Sequence, residues 1–433
     1  MKLPEQFLNR MKERLGSDFP AFLASYDKPP YKGLRVNTLK ISVEDFLRRA
    51  PFPLGEQIAW EYRGFYHNEE KAGRDPYHFA GLYYLQEPSA MCVAEAIDAC
   101  RKDRVLDLCA APGGKTTLVA SYMEGDGILI ANEIDGTRAK ILSQNVERMC
   151  ITNCAVVSAT PEKLAELFPD YFDLILVDAP CSGEGMFKKE PNAVPEWSLQ
   201  NVEMCATRQK NILECAARML AKNGCIVYST CTFAEEEDEW QVKNFLERHP
   251  EFVMHEEAEK LYPHETCGEG HFTAALDKTE GARENVKPYP IKRNSAAERA
   301  YKEFAEDFFE RPPSGEITTL ADGRMYLVPA GMPALSVRTL RLGVELGEWD
   351  GKIFKPAHAL VMAHGSGARR KVKLAREESI RYLRGETLEA QLSNGWCAVC
   401  VEDFPLGLGK IVNGTVKNHL PKGLRMVKAN DNR

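Results

Sequence analysis

The 433-residue chain has no run of 18 apolar residues, which removes a helix able to span a membrane. Its opening residues, Met1-Lys2-Leu3-Pro4-Glu5-Gln6, lack an apolar core followed by a small-residue cleavage site, so no secretory address is visible. Cysteine is sparse, 13 of 433 residues and an odd number, too dilute for a disulfide scaffold. These thiols are expected to stay reduced in the cytoplasm, and attention turns to those that could do chemistry. Internal repeats and low-complexity tracts are also missing. What remains is an ordinary globular composition, 44% hydrophobic and 27% charged. At roughly 150 residues per domain the length suits about three domains.

Charge is unevenly placed. The chain carries 56 Lys and Arg against 63 Asp and Glu, a net of −7. Residues 351–433 alone are net +8, which leaves −15 on the 350 residues before them. A basic end on an acidic body suits contact with a polyanion, and equally suits a small domain that happens to be basic. Near the N-terminus Phe7, Leu8, Met11 and Leu15 share one helical face. The stretch is short and its flanks are mixed in sign, so that face reads as core, not membrane anchor.

Further along, Leu34–Lys40 reads as a half-buried strand, followed by the segment Tyr83–Ala90. From about residue 103 short apolar runs alternate with amphipathic stretches. The runs are Val105–Cys109, Ile128–Glu133, Ala155–Ser158, Asp173–Asp178 and Cys225–Thr230, with helices such as Thr137–Met149 and Asn201–Leu220 between them. That rhythm predicts βαβ units and a parallel sheet covered on both faces, an α/β fold whose ligands bind beyond the carboxyl ends of the strands. The polar, proline-containing stretch 277–298 reads as a linker. A helix near Ala296–Glu310 and a strand-rich end around Cys397–Val401 and Gly407–Val412 follow. The expected division is a small N-terminal α+β domain over 1–75, the α/β domain over 76–279, a linker over 280–298 and a C-terminal region over 299–433. The last part of that region, about 351–433, is expected to be a separate α+β or barrel-like module.

The first strand of the sheet runs into Asp107-Leu108-Cys109-Ala110-Ala111-Pro112-Gly113-Gly114-Lys115-Thr116. A strand, a loop of small residues and a helix N-terminus let a ligand approach the backbone. Gly114-Lys115-Thr116 fits the end of a phosphate-binding P-loop, with Asp178 as a possible metal-binding acid, but Cys109 occupies the first glycine position. The G-x-G-x-x-G of dinucleotide folds is absent. Glu133, 20 residues past Gly113 at the end of the second strand, stands where an acid takes ribose hydroxyls. Loop and acid together suit an adenosine cofactor without a phosphate cradle, such as S-adenosylmethionine.

Two thiols, Cys181 in Asp178-Ala179-Pro180-Cys181-Ser182-Gly183 and Cys231 in Ser229-Thr230-Cys231-Thr232, follow neighbouring strands on that side of the sheet. Cys215 and Cys225 read as structural, whereas these two belong in a cleft where a thiolate can attack. A thiol beside a methyl donor suits pyrimidine C5 methylation. Thiolate addition at C6 turns the ring into an enamine, an acid placed like Asp178 stabilises the N3/N4 edge, and a base then removes the C5 proton.

These motifs, in this order, resemble the Nol/Sun RNA 5-methylcytosine methyltransferase family, and Gly268-Glu269-Gly270-His271-Phe272 resembles its closing hairpin. The run from Phe404 to Arg425 is similar to the RsmF-like subgroup. The resemblance implies a class I, Rossmann-like methyltransferase sheet with a C-terminal PUA-like RNA-binding module. It also implies S-adenosylmethionine as cofactor and 16S ribosomal RNA, free or in the small subunit, as substrate of a monomeric enzyme. On it Cys231 is the nucleophile, Cys181 serves product release, and Cys109, Ala110, Ala111, Pro112, Gly113, Gly114, Lys115, Glu133, Arg138 and Asp178 form the cofactor site. Thr160 stands where many relatives carry an acid facing adenine, and Asp238 where the family usually has Asn. The competing readings are a P-loop-like NTPase and a non-catalytic RNA-binding assembly factor on the same scaffold.

Weaker signals are Cys397-Ala398-Val399-Cys400, whose thiols would face opposite sides of a strand, and His264, Cys267 and His271, which lack a clear fourth ligand. No metal is expected. Lys188-Lys189 and Trp197 suit either an RNA contact or a solvated loop with one packed ring.

Overall fold

The alternation of apolar runs and amphipathic stretches becomes a mixed sheet of nine strands in the middle of the chain. The computed structural model describes residues 2–426. In chain order the central elements are β1 Arg104–Asp107, α1 Gly114–Met123, β2 Ile128–Asn132, α2 Gly136–Arg148, β3 Cys154–Ser158 and α3 Pro161–Leu167. Then come β4 Phe172–Asp178, α4 Leu199–Met219, β5 Leu220–Thr230, α5 Glu239–Arg248 and β6 His271–Lys278. Their order across the sheet is β6-β5-β4-β1-β2-β3, with β1 to β5 parallel and β6 antiparallel to β5. Strand order reverses at β1, between β2 and β4, and a crevice opens there.

The inner strands are apolar along their length because both faces are covered. One face packs on α3, α4 and α5 through residues such as Leu164, Leu213 and Phe245, the other on α1 and α2 through Leu118, Leu142 and Val146. In α2 the buried Ala139, Leu142 and Val146 recur at helical spacing, and the Asp135 carboxylate caps the helix by accepting the Thr137 and Arg138 N–H groups. Helix α1 differs, with eight of its ten residues buried. Its outer side lies under the N-terminal domain, whose Arg35 and Arg63 donate to Thr117 and Ser121.

That domain is a four-stranded antiparallel sheet, Leu54–Ile58, Glu61–His67, Gly33–Val36 and Tyr83–Gln86 in spatial order. The strand expected over Leu34–Lys40 ends at Val36 and is fully buried. Asn37 ends it, because its side chain accepts the Leu39 N–H and donates to the carbonyls of Gly81 and Met149. The first helix, Glu5–Leu15, buries Phe7 and Met11 against Phe22, Phe187, Trp197 and Phe233, as the core reading requires.

The stretch read as a linker is held along the sheet. Arg283 pairs with Asp173 at 2.9 Å, and the N–H groups of Tyr289 and Lys292 donate to Met332 and Thr318. Its polarity serves these partners, which composition alone does not distinguish from solvation. Beyond it β7, Arg338–Leu342, adds antiparallel to the outer edge of β3. Two further sheets follow, one of four strands within 316–356 and one of five within 371–418. The last of these shares a core with the N-terminal domain, in which Leu34, Phe46 and Tyr77 cluster with Tyr382, Val399 and Leu406.

Glu147 on α2 ties the C-terminal region to the central sheet through Arg341 of β7 and His358, whose Nδ1 lies 2.6 Å away. Burial pushes this carboxyl up, but the hydrogen bond from His358 and the charge of Arg341 outweigh it and hold the pKa at about 2. Glu147→Gln leaves Arg341 buried without its counter-charge and should cost about 3–5 kcal/mol in urea unfolding. Because the folded pKa is depressed, Glu147 stabilises the fold fully above the unfolded value of about 4.3. That contribution should fade as pH falls towards about 2, and the variant should lack this part of the acid dependence.

Candidate active site

Beyond the carboxyl ends of β1, β2, β4 and β5 lies a cavity of about 990 Å³. Cys109, Ala110, Ala111, Pro112, Gly114 and Lys115 from the loop after β1 line it, with Glu133, Arg138, Asp178, Cys181 and Cys231. Of the residues expected to form the catalytic and cofactor site, Gly113 alone stays outside. It starts α1 at φ +116°, and a Cβ there would meet Leu142 Cδ1 at 3.3 Å, so it shapes the turn and its packing on α2. Cys109 lines the cavity, and burial pushes its thiol well up.

Glu133 is buried, accepts the Asp135 N–H at 2.9 Å and pairs with Arg138 at 3.1 Å. Arg138 also donates to the Ala111 carbonyl at 2.7 Å, so it braces both the acid and the loop. Thr160 lines the cavity while its hydroxyl oxygen caps α3 by accepting the Lys163 N–H. Beside Glu133, Ile134 is 62% exposed at the cavity wall, an apolar surface the sequence reading passed over.

Lys115 is 6% exposed, and its ammonium pairs with Asp178 at 2.7 Å. Burial pulls its pKa down, but Asp178 more than offsets this and the net shift is upward. The adjacent Thr116 is fully buried and donates to Asp107, itself pushed up to about 7 by burial. The P-loop reading fails here, because the lysine and threonine that would meet phosphate and metal are both turned to partners inside the protein.

The sulfur atoms of Cys181 and Cys231 lie 3.3 Å apart. Their loops are fastened together: Ser182 and Thr232 share a hydroxyl hydrogen bond at 2.8 Å, and the Gly185 N–H donates to the Cys231 carbonyl at 2.9 Å. Behind them Glu237 accepts the Ser182 N–H and the Gln209 amide, and burial pushes it up to about 7. Asp238 accepts the Thr230 hydroxyl at 2.6 Å and pairs with Lys260. Burial likewise raises it to about 7. The Asn-to-Asp departure noted in the sequence therefore sits one layer behind the end of β5, next to Cys231.

Trp197 is packed, donating its ring N–H to buried Glu184, and Lys188 is buried in a 2.9 Å pair with Glu269. Trp197 is the packed ring expected of one alternative, whereas Lys188 departs from both, being buried in an ion pair and not solvated. Cys397 and Cys400 point into different cores and cannot share a ligand. His271 lines the cavity beside Cys231, a place its reading as a hairpin or zinc residue did not suggest.

The Cys181 thiol is held protonated first by its hydrogen bond to Cys231 and then by burial, which together push its pKa well up. At neutral pH iodoacetamide should therefore alkylate Cys231 ahead of Cys181, read by peptide mass spectrometry. Cys181 reacting first would contradict this ordering.

Family profiles match nearly the whole described chain: the N-terminal domain of 16S rRNA methyltransferase RsmF over 3–88 and 16S rRNA methyltransferase RsmB/F over 94–277. The RsmF first C-terminal domain follows over 303–363 and the RsmF PUA domain over 369–426. Ribosomal RNA small subunit methyltransferase F of Vibrio atlanticus (strain LGP32) is 33% identical over 98% of this chain and 97% of its own length. The Escherichia coli O157:H7 protein of the same name is 32% identical over 97% and 96%. A solved methyltransferase homologue from Pyrococcus horikoshii is 28% identical, with a TM-score of 0.57 over 64% of this chain and 95% of its own. Similar along its length to these proteins, the chain belongs to the ribosomal RNA small subunit methyltransferase F family.

Proposed function

We propose that the protein methylates cytosine C5 in 16S ribosomal RNA, using S-adenosylmethionine and a covalent bond between Cys231 and cytosine C6. The observation that carries this reading is the pair of thiols 3.3 Å apart in one cavity with Asp178 and the loop after β1. The names of the relatives support the ribosomal RNA substrate. The cavity also suits the cofactor. Glu133 is a buried carboxylate at the end of β2 able to accept ribose hydroxyls, Ile134 and Pro161 offer apolar surface to a purine, and the small loop residues admit the rest. When bound, S-adenosylmethionine supplies an electrophilic methyl group.

The target base leaves its stack to enter the cavity. Cys231 attacks C6, and Asp178, backed by the Lys115 ammonium, hydrogen-bonds the N3/N4 edge and steadies the charge that develops there. The Cys181 thiol keeps its proton and donates to the Cys231 sulfur, which stabilises that sulfur as a leaving thiolate when product departs. The protein divides into an N-terminal domain, a catalytic domain and a C-terminal RNA-anchoring region. In the last of these Lys410 lies over the Trp396 ring at 5.1 Å, a stacking surface with a cation for phosphate. The 13 free thiols suit a reducing compartment, the cytoplasm.

Cys231→Ala should abolish methyl transfer and form no covalent RNA intermediate. Cys181→Ala should attack and methylate but release poorly, accumulating a protein–RNA adduct that survives denaturing gels. An adduct trapped by Cys231→Ala would exchange the two roles.

Hydrogen bonds to a charged acceptor contribute about 1.5–3 kcal/mol each, and about 1.4 kcal/mol is one decade in affinity. Glu133→Gln should therefore weaken S-adenosylmethionine binding by at least about tenfold in calorimetry. An unchanged dissociation constant would remove the ribose role.

A further inference from the structure

We propose that His271 is the base that takes the C5 hydrogen of the target cytosine after methylation, a step for which the mechanism above names no group; the proposal rests on the cytosine reading of the site. His271 opens β6, and the pairing of Phe272 with Thr230 sets it level with Cys231, on the side of β5 away from β4. Its side chain lines the cavity shared by Cys231, Cys181, Lys115 and Asp178. The residue is 2% exposed, and neither ring nitrogen has a hydrogen-bond partner. Two unmet polar atoms on one buried ring are a cost to the free protein that a substrate in the cavity would relieve. Burial, followed by the nearby Lys115 ammonium, holds the ring well below the usual histidine range, so it is neutral and carries an unprotonated nitrogen.

The position also suits the stereochemistry. Sulfur on C6 occupies one face of the cytosine, so the methyl group must arrive at C5 from the other. The C5 hydrogen is thereby turned onto the sulfur's face, where the neighbours of Cys231 are the groups within reach. Cys181 is one of them, but its thiol holds its proton and is a poor base. His271 accepts the hydrogen as a proton, and the C5–H electron pair becomes the C5–C6 double bond. The C6–S bond then breaks with its pair going to Cys231 Sγ. The products are 5-methylcytosine, a thiolate and an imidazolium, and no further reactant is required.

The test uses full-length protein, S-adenosylmethionine and small-subunit particles reconstituted with 16S RNA transcribed from [5-³H]cytidine triphosphate. Methyl incorporation and tritium release to water are followed separately through one turnover. Wild type should lose one tritium for each methyl gained. His271→Asn should incorporate methyl within about threefold of the wild-type rate but release tritium at least about 100-fold more slowly, the usual loss for a missing base. A protein–RNA adduct carrying both labels should then accumulate on denaturing gels. Imidazole added to His271→Gly should restore tritium release, which a merely structural role would not allow. Tritium release keeping step with methylation in both His271→Asn and His271→Phe overturns the assignment, as does an equal loss of both signals. Methylation by wild type without tritium release overturns the cytosine C5 reading itself and this inference with it.

Discussion

The ion pair between Lys115 and Asp178 joins the two halves of the crevice. Lys115 belongs to the helix after β1, and Asp178 ends β4, so the pair spans the point where strand order reverses. An ammonium with 6% of its side chain exposed has lost nearly all its hydration, a loss of several kcal/mol that only a close carboxylate offsets. Asp178 is thereby pinned at the mouth of the cavity, 38% exposed and facing whatever enters. The N-terminal domain supports the same corner, because Arg35 donates to the Gly114 carbonyl and to Thr117 on α1. The wall suited to a cofactor and the wall carrying the thiols are thus registered against each other by one buried charge and its partner.

Behind the thiols the fold accepts an electrostatic cost to gain rigidity. Glu237 and Asp238 are both buried and both raised to about 7 by that burial. Acids whose folded pKa is raised cost stability progressively as pH climbs from their unfolded values, near 4, to about 7. In return Glu237 holds the Cys181 loop through Ser182 while Asp238 holds the last turn of β5 through Thr230. Gly185 completes the contact, since a Cβ there would meet the Gly270, Cys231 and Glu269 carbonyl oxygens at 2.9 to 3.2 Å. Buried acids beside a reactive pair are where local stability is given up to fix a distance.

Much of this is legible in the sequence. The apolar runs ending at Cys109, Glu133, Asp178 and Thr230 locate the cavity, because in a parallel sheet carboxyl ends converge on one side and the small-residue and thiol motifs all fall there. The hidden parts depend on pairings distant in sequence. His271 reads as a hairpin or metal-ligand candidate until β6 is seen lying antiparallel to β5, which carries it to Cys231. Arg35 sits in a short apolar run and shows no sign that it reaches α1, 79 residues away at Gly114. Strand β7 carries no mark that it completes the outer edge of β3. Ile134, by contrast, is readable in principle as the apolar neighbour of the acid that ends the second strand run.

Sequence charge also overstates what the C-terminal region offers to RNA. Several of its cations are spent within the fold, Arg376 on Asp75, Arg370 on Asp307 and Lys373 on Asp403. Arg384, Lys410, Lys417, Lys422 and Arg425 have no carboxylate partner among the described residues and keep the region's surface basic. The pair between Arg376 and Asp75 and the hydrogen bond from Tyr77 to Glu402 both join this region to the N-terminal domain, over the core the two share. The basic surface is therefore fixed to the catalytic body and not swung on a tether. Phosphates held on such a fixed surface would set which nucleotides could reach the thiols. Removing the module would also strip apolar cover from Leu34, Phe46 and Tyr77, so the effect of its charge can be separated from its packing only by changing surface cations one at a time.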